Sequence, residues 1–244
     1  MNKDALNVDN YNYLINSLKQ SGYTFCKYGV GRDVLKKTPC IILRHDVDFS
    51  LHTAAELAAL EVQMGILSTY FVHLRSSIYN PISSDGLDNI NKILSLGHDV
   101  GLHITYQDNL QELSEDVLRQ LDVFRYYCPH LNSSIVSFHR PGIRAKELLD
   151  YSLPQGIIHT YQREYFADII YFSDSGGVWK NGNPVDSVSY KTKRSMQILT
   201  HPLWWLIPGE SPIQKLANFL SKNRSIEIDQ IQRTIISYPI DTLQ

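Results

Sequence analysis

The chain has 244 residues, 43% of them hydrophobic, and a formal net charge of −2. That supplies one sizeable core for a single domain over residues 1–244. It offers no basic block for nucleic acid and no run near ~18 apolar residues to span a membrane. The N-terminal Met1-Asn2-Lys3-Asp4-Ala5-Leu6-Asn7 lacks the apolar centre of a signal peptide. Cys26, Cys40 and Cys128 are odd in number and form no Cys-x-x-Cys pair. Together these features predict a cytoplasmic protein with reduced thiols, each cysteine acting as a small buried hydrophobe.

Taken in order, Tyr11, Leu14, Ile15 and Leu18 recur at helical spacing up to Gly22. Tyr23 to Cys26 reads as a short strand, and Gly29-Val30-Gly31 as a turn, since it lacks the third glycine of a dinucleotide fingerprint. Ile41-Ile42-Leu43 then runs into Arg44-His45-Asp46-Val47-Asp48, and an Ala/Leu/Glu-rich helix follows from about Leu51. This is a buried strand with a charged C-terminal tip. Alternation puts Arg44, Asp46 and Asp48 on one side and His45 and Val47 on the other. Neighbouring carboxylates beside a buried strand repel each other and are costly to desolvate, so a metal ion or a proton-transfer role would relieve them. The motif also fits a helix cap by Asp48 or Ser50 plus one Asp–Arg ion pair.

Leu67 to Leu74 is the next strand. A loop over residues 80–86 and a helix through Leu87, Ile90, Ile93 and Leu94 lead to a strand from Asp99 to His103. Asp108 opens a helix with Gln111 as its capping-box partner, and Leu110, Leu113, Val117, Leu118, Leu121 and Phe124 line its buried face. Further strands are expected over residues 134–139, 157–161, 168–173 and 197–201, with a last helix around Leu216, Phe219 and Leu220.

Alternating strands and helices favour a mostly parallel sheet, open or closed into a barrel. Asp46, Asp48, His103, His139, Asp174 and His201 fall at strand C-terminal ends. These gather on one face of a parallel barrel, where active sites sit. His45, His52, His73, His130 and His159 read instead as surface or core residues. Asp and His donors from separate strands suit a zinc-like divalent ion with an open position. Such a site can hydrolyse an amide if a carboxylate takes a proton from water and a histidine protonates the leaving amine.

Six stretches then appear in order over residues 40–205: Leu43 to Asp48, Ser68 to Val72, Gly97 to His103, Phe138 to Gly142, Asp174 to Trp179, and Leu199 to Pro202. The ordered set resembles the polysaccharide deacetylase superfamily, the NodB-homology or carbohydrate esterase 4 group, and within it the subgroup whose first motif is His-Asp-Val-Asp. The resemblance implies a distorted (β/α) barrel with about seven parallel strands and metal-dependent removal of an acyl group from an amino sugar. It makes Asp46 the base and Asp48 a metal ligand, although Val47 separates two carboxylates that are usually adjacent and leaves the roles exchangeable. His103 matches a metal histidine. The second one, four residues on, is replaced by Gln107, a poor zinc ligand, so His139 is the candidate third ligand. Arg140 matches the arginine that orients the base, His201 the general acid and Asp174 its partner. Trp179 matches a wall of the acyl pocket, and Trp204 and Trp205 are candidates for stacking on sugar, one of them equally a core residue. His98 and Asp99 match an element with a structural role.

The leading expectation is a Zn2+-dependent deacetylase or deformylase on an acylated amino sugar, nucleotide sugar or glycan precursor of surface polysaccharide. The alternatives are an amide or imide hydrolase on a non-sugar small molecule, and a metal-free deacetylase-like binding domain.

Overall fold

The structure, a computed structural model, describes residues 4–131 and 134–234. In chain order its elements are α1 (Val8–Gln20), β1 (Thr24–Cys26), α2 (Arg32–Lys37), β2 (Cys40–Val47), α3 (Leu51–Gln63), β3 (Thr69–Val72), α4 (Ser84–Ser95), β4 (Asp99–Thr105), α5 (Leu110–Tyr127) and β5 (Ile135–His139). There follow β6 (Ile158–His159), α6 (Arg163–Phe166), β7 (Ile170–Ser173), α7 (Val188–Lys191), β8 (Met196–Thr200), α8 (Pro202–Leu206) and α9 (Pro212–Thr234), with short 3-10 turns between β5 and α7.

Seven strands run in the order β6-β5-β4-β3-β2-β8-β7, every pairing parallel, and β1 pairs with the first half of β2. This is the expected distorted (β/α) barrel, with β6 and β7 left unpaired to each other. α6 lies in the chain between them. Arg44 on β2 shows how far the sheet curls. Its guanidinium reaches Ser137 Oγ on β5 at 2.7 Å and Thr160 Oγ1, just past β6, at 2.6 Å.

Alternation along β2 sorts its side chains as read from the sequence. Ile41 and Leu43 pack outward under α1 and α8, and Val47 packs outward toward α3, α4 and α5. Cys40 and Ile42 pack inward with Tyr28, Leu35, Phe71 and Tyr165, plugging the floor of the barrel. Gly101 makes room for that plug. A Cβ there would come 2.4 Å from the Ile135 carbonyl and 2.8 Å from the Phe71 ring.

One local expectation changes. The cap of α5 is Asn109, not Asp108. Asn109 accepts from the amides of Gln111 and Glu112 and donates to Glu112 Oε1, so the reciprocal pair is Asn109 with Glu112, one residue later than the Asp108–Gln111 pair. In α9, Phe219 is buried but Leu220 points to solvent. No helix among the described residues is long and apolar enough to cross a membrane.

Behind β2 lies a buried polar hub. Glu61 on α3 is fully buried and accepts from Ser68 Oγ at 2.6 Å, Tyr70 Oη at 2.7 Å and Tyr11 Oη, and it meets His45 Nε2 at 2.9 Å. The other His45 nitrogen lies 2.7 Å from Thr200 Oγ1. Burial alone would raise the Glu61 pKa, but the His45 imidazole and these hydrogen bonds outweigh it and bring it down to about 2. The folded value is below the unfolded one, so this carboxylate's stabilisation is complete above pH ~4.5 and is lost as pH falls toward 2. Urea unfolding should show Glu61→Ala destabilised at neutral pH by ~3–5 kcal/mol, the range for breaking a buried charged network. The loss should shrink across the acid window.

Candidate metal centre

Each strand end delivers one polar group to the same mouth of the barrel. Asp48 follows β2, His73 follows β3, His103 lies on β4 and His139 ends β5. Asp48 Oδ1 is 3.3 Å from His73 Nε2, 3.4 Å from His103 Nε2 and 3.6 Å from His139 Nδ1, and the His103 and His139 nitrogens are 3.1 Å apart. Four donors held tetrahedrally at ~2.0–2.2 Å from an ion would lie ~3.3–3.6 Å from one another. The four donor atoms all lie within 4.8 Å of one another, a group that could hold one divalent cation. Asp48 Oδ1 is buried at the point where these three imidazole nitrogens converge.

The protonation states agree. Burial pushes His139 down to about 4 and lowers His73 as well, so both imidazoles are neutral and offer lone pairs at pH 7. Burial opposes ionisation of Asp48, but hydrogen bonds from His103 and His73 hold its carboxyl well below the usual range. His103 Nδ1 lies 3.4 Å from the Ser137 carbonyl, a contact that turns Nε2 toward the cluster.

On one flank, Asp46 is gripped by Arg44, Nε to Oδ1 at 3.2 Å and Nη2 to Oδ2 at 2.8 Å, while its Oδ2 stands 3.4 Å from His103 Nε2. Arg44 is fully buried, with its guanidinium 5.3 Å from the centre of the Tyr161 ring. Burial would raise the Asp46 pKa, yet the charges of Arg44, His103 and His201 lower it, so Asp46 stays ionised.

On the opposite flank, His201 Nε2 is 3.7 Å from Asp48 Oδ2, and Nδ1 is 2.6 Å from Asp174 Oδ1. Asp174 also accepts from the His201 amide and from Trp205 Nε1. Burial would lower the His201 pKa, but the Asp174 charge and hydrogen bond, with Asp48 and Asp46 beyond, push it up to about 9. Between the flanks lies a cleft of about 390 Å³ with Phe138, Tyr161, Phe166, Tyr171 and Trp204 among its walls.

The sequence-derived candidates Asp46, Asp48, His103, His139 and His201 thus meet at one cleft. Both features of the plainer reading of the Asp-Val-Asp motif are present as well: the Arg44–Asp46 pair, and a cap of α3 by Ser50. Three placements differ from expectation. His73, assigned to the surface or core, is within the donor cluster. The polar rule for strand ends identifies it once β3 is known to stop at Val72.

Arg140, expected to orient the base, is exposed and makes no ion pair with Asp46 among the described residues. Arg44 makes that contact instead, because a two-residue spacing puts it on the same strand face as Asp46. Gln107, at the site of the missing histidine, donates to Asp116 instead of facing the cluster. Among the tryptophans, Trp204 lines the cleft. Trp205 is core, its ring against Tyr11 and its N–H on Asp174, and half-buried Trp179 packs against Trp205. His98 and Asp99 sit at the start of β4, at the other end of the strand, where His98 meets Ser68 and the Ala58 carbonyl and Asp99 pairs with Lys27.

No family model and no curated protein matches the chain. Among solved structures it is similar to the peptidoglycan deacetylase Bd3279 of Bdellovibrio bacteriovorus, with 17% identity, a TM-score of 0.42, and coverage of 84% of this chain and 53% of that one. The chain therefore spans about half the length of that protein. It is similar to the chitin deacetylase of Colletotrichum lindemuthianum, with 15% identity, a TM-score of 0.41, and coverage of 75% and 82%. A third similarity is to the Bc1960 peptidoglycan N-acetylglucosamine deacetylase, with 12% identity, a TM-score of 0.41, and coverage of 89% and 92%. All three are named as deacetylases.

If His73 is a ligand, His73→Ala should weaken divalent-metal binding by more than the ~10–100-fold typical of losing an outer partner. Competitive chelator titration against His52→Ala, a change at an exposed histidine, measures the difference.

Proposed function

We propose that this chain is a metal-dependent N-deacylase that removes an acetyl or formyl group from an amino sugar or glycan precursor, with Zn2+ as its ion. One observation carries the reading: the donor cluster is flanked by a carboxylate held by arginine and an imidazole held by carboxylate, and all face one cleft. Amide hydrolysis needs a proton acceptor for water and a proton donor for the amine. These two groups have opposite protonation at neutral pH, as that division of labour requires. The metal-free binding module is disfavoured by the convergence of Asp48 and three imidazoles, with ligand atoms all within 4.8 Å of one another.

Asp48, His73, His103 and His139 would hold the ion, three nitrogens and one oxygen, a set that suits zinc. When bound, it supplies polarisation of the scissile carbonyl and a lowered pKa for water. Asp46 accepts the proton of the attacking water. Arg44 occupies the same carboxylate, so Asp46 keeps its orientation and its charge through the step. His201 holds Nδ1 toward Asp174 and delivers its proton from Nε2 to the departing amine nitrogen. The C–N bond breaks as the nitrogen is protonated, giving a free amine and a carboxylate. Tyr161, Phe166, Tyr171 and Trp204 offer aromatic surface to a sugar ring.

Asp46→Asn and His201→Ala should each lower kcat by on the order of 10²–10⁴ while metal content holds, measured by amine release and elemental analysis. An Asp46→Asn protein stripped of metal would give Asp46 the ligand's part instead. The acid must be protonated, so kcat should fall as pH rises through about 9, where His201 loses its proton. Below that limb the profile should show no step from Asp46 in the ordinary carboxylate range, since its pKa is lowered.

A further inference from the structure

With Arg44 holding Asp46, Arg140 is left without the role its motif position implied. It follows His139 directly and is exposed, with no hydrogen bond or ion pair to its guanidinium among the described residues. Its φ is 54°, in the left-handed region, although it is neither glycine nor asparagine and it precedes Pro141. Such a conformation is strained, and strain kept beside a site points to a use there. Gln155 and Lys193 also have positive φ, but Arg140 is the one of the three that lines the cleft.

Arg140 also lines a second hollow, of about 330 Å³, on the other side of Asp48 and His139. Arg75, Ser77 and Thr105 complete much of its wall, and Asp48 is its one acidic residue. Arg75 is anchored by Nη1 to the buried Asp116 at 3.1 Å, yet its side chain is 65% exposed. A guanidinium has five N–H donors, so this anchor positions the group and leaves donors for a ligand. Asp116 is shared with Gln107, Gln120 and Arg119. Because Asp48 faces three imidazoles, the hollow presents two arginines and the hydroxyls of Ser76, Ser77 and Thr105 with no other carboxylate to offset them. Two guanidiniums lining one hollow suit the oxygens of a phosphate.

We infer that this hollow is an anion subsite that binds the phosphate or diphosphate of an activated amino sugar, with Arg140 and Arg75 as its donors. The inference rests on the deacylase reading for its substrate class. In a 2-amino sugar the anomeric oxygen is on the carbon next to the one bearing the amide. A substrate with its acyl group at the cluster therefore puts an anomeric phosphate within a few bonds of the metal. The cleft and the hollow share Asp48, Phe49, His139 and Arg140, which is the continuity such a substrate needs.

The test is calorimetric binding to the zinc-loaded full chain, with N-acetylglucosamine 1-phosphate compared with the uncharged methyl glycoside of N-acetylglucosamine. The phosphate should bind ~10–100-fold more tightly, the worth of a charge-assisted contact. Arg140→Gln should reduce that advantage to under ~3-fold and Arg75→Gln should diminish it, both with unchanged zinc content. Equal affinities for the two probes overturn the inference. So does an advantage that survives in both variants, because the phosphate would then be on the metal.

Uridine diphosphate N-acetylglucosamine compared with a farnesyl diphosphate-linked N-acetylglucosamine separates a nucleotide from a lipid carrier. Amine release keeps the two readings apart. An Arg140-dependent phosphate preference without any amide turnover leaves the subsite standing and removes the deacylase. Turnover with no phosphate preference does the reverse.

Discussion

Two carboxylates two residues apart, at the end of a strand buried on both faces, repel each other and are costly to desolvate unless each is met by its own partners. The mouth of this barrel is arranged around that constraint. Asp46 takes Arg44, and Asp48 takes the three imidazoles of His73, His103 and His139. Arg44 in turn is tolerable at zero exposure only because Asp46, Ser137 and Thr160 occupy its donors. A buried guanidinium that lost Asp46 would be left unpaired, at a cost of several kcal/mol. Since those partners come from β2, β5 and the end of β6, the same ion pair that keeps Asp46 ionised also ties the curled sheet across its interior.

The division of the carboxylates gives the cleft its polarity. Asp46, His103 and His201 form a line of close contacts through Asp48, with a fixed anion at one end and a protonated imidazole at the other. Rigid support stands behind each. Glu61, His45 and Thr200 link α3, β2 and β8 behind the Asp46 strand, and Asp174 fixes His201 through both its ring and its amide. Tyr79 Oη donates to the Val47 carbonyl at 2.6 Å and accepts from the His73 amide, which fastens the β3 end to the β2 end beside the cluster. Groups held this way meet a substrate without reorganising, the general condition for electrostatic catalysis.

Much of this was legible in the sequence because a parallel barrel converts chain position into spatial position. A polar residue at a strand's C-terminal end arrives at the common mouth whatever its neighbours are, which is why Asp48, His103, His139 and His201 could be grouped from strand boundaries alone. The misses follow from the same rule. Reading β3 through to Leu74 made His73 an interior strand residue, whereas the strand stops at Val72 and leaves His73 at the tip. Arg140 was matched by motif position. The guanidinium that reaches Asp46 comes from two residues upstream on the same strand, the Asp–Arg pair that the plainer reading of the motif offered. Trp205 and Trp179 carry no periodicity that would tell a sugar platform from core, and only packing separates them from Trp204. The short helix α2 went unread because its Arg-Asp-Val-Leu-Lys-Lys sequence buries a single residue, Leu35.

The most direct test of the central claim, that Asp48 and three histidines form the metal centre while Asp46 stands apart on Arg44, is paramagnetic proton NMR of the cobalt-substituted protein. Three strongly shifted, exchangeable imidazole N–H signals are predicted, one lost in each of the His73, His103 and His139 alanine variants. All three should persist in Asp46→Asn. Two shifted signals with the His73→Ala spectrum unchanged, or loss of the whole set in Asp46→Asn, would contradict it.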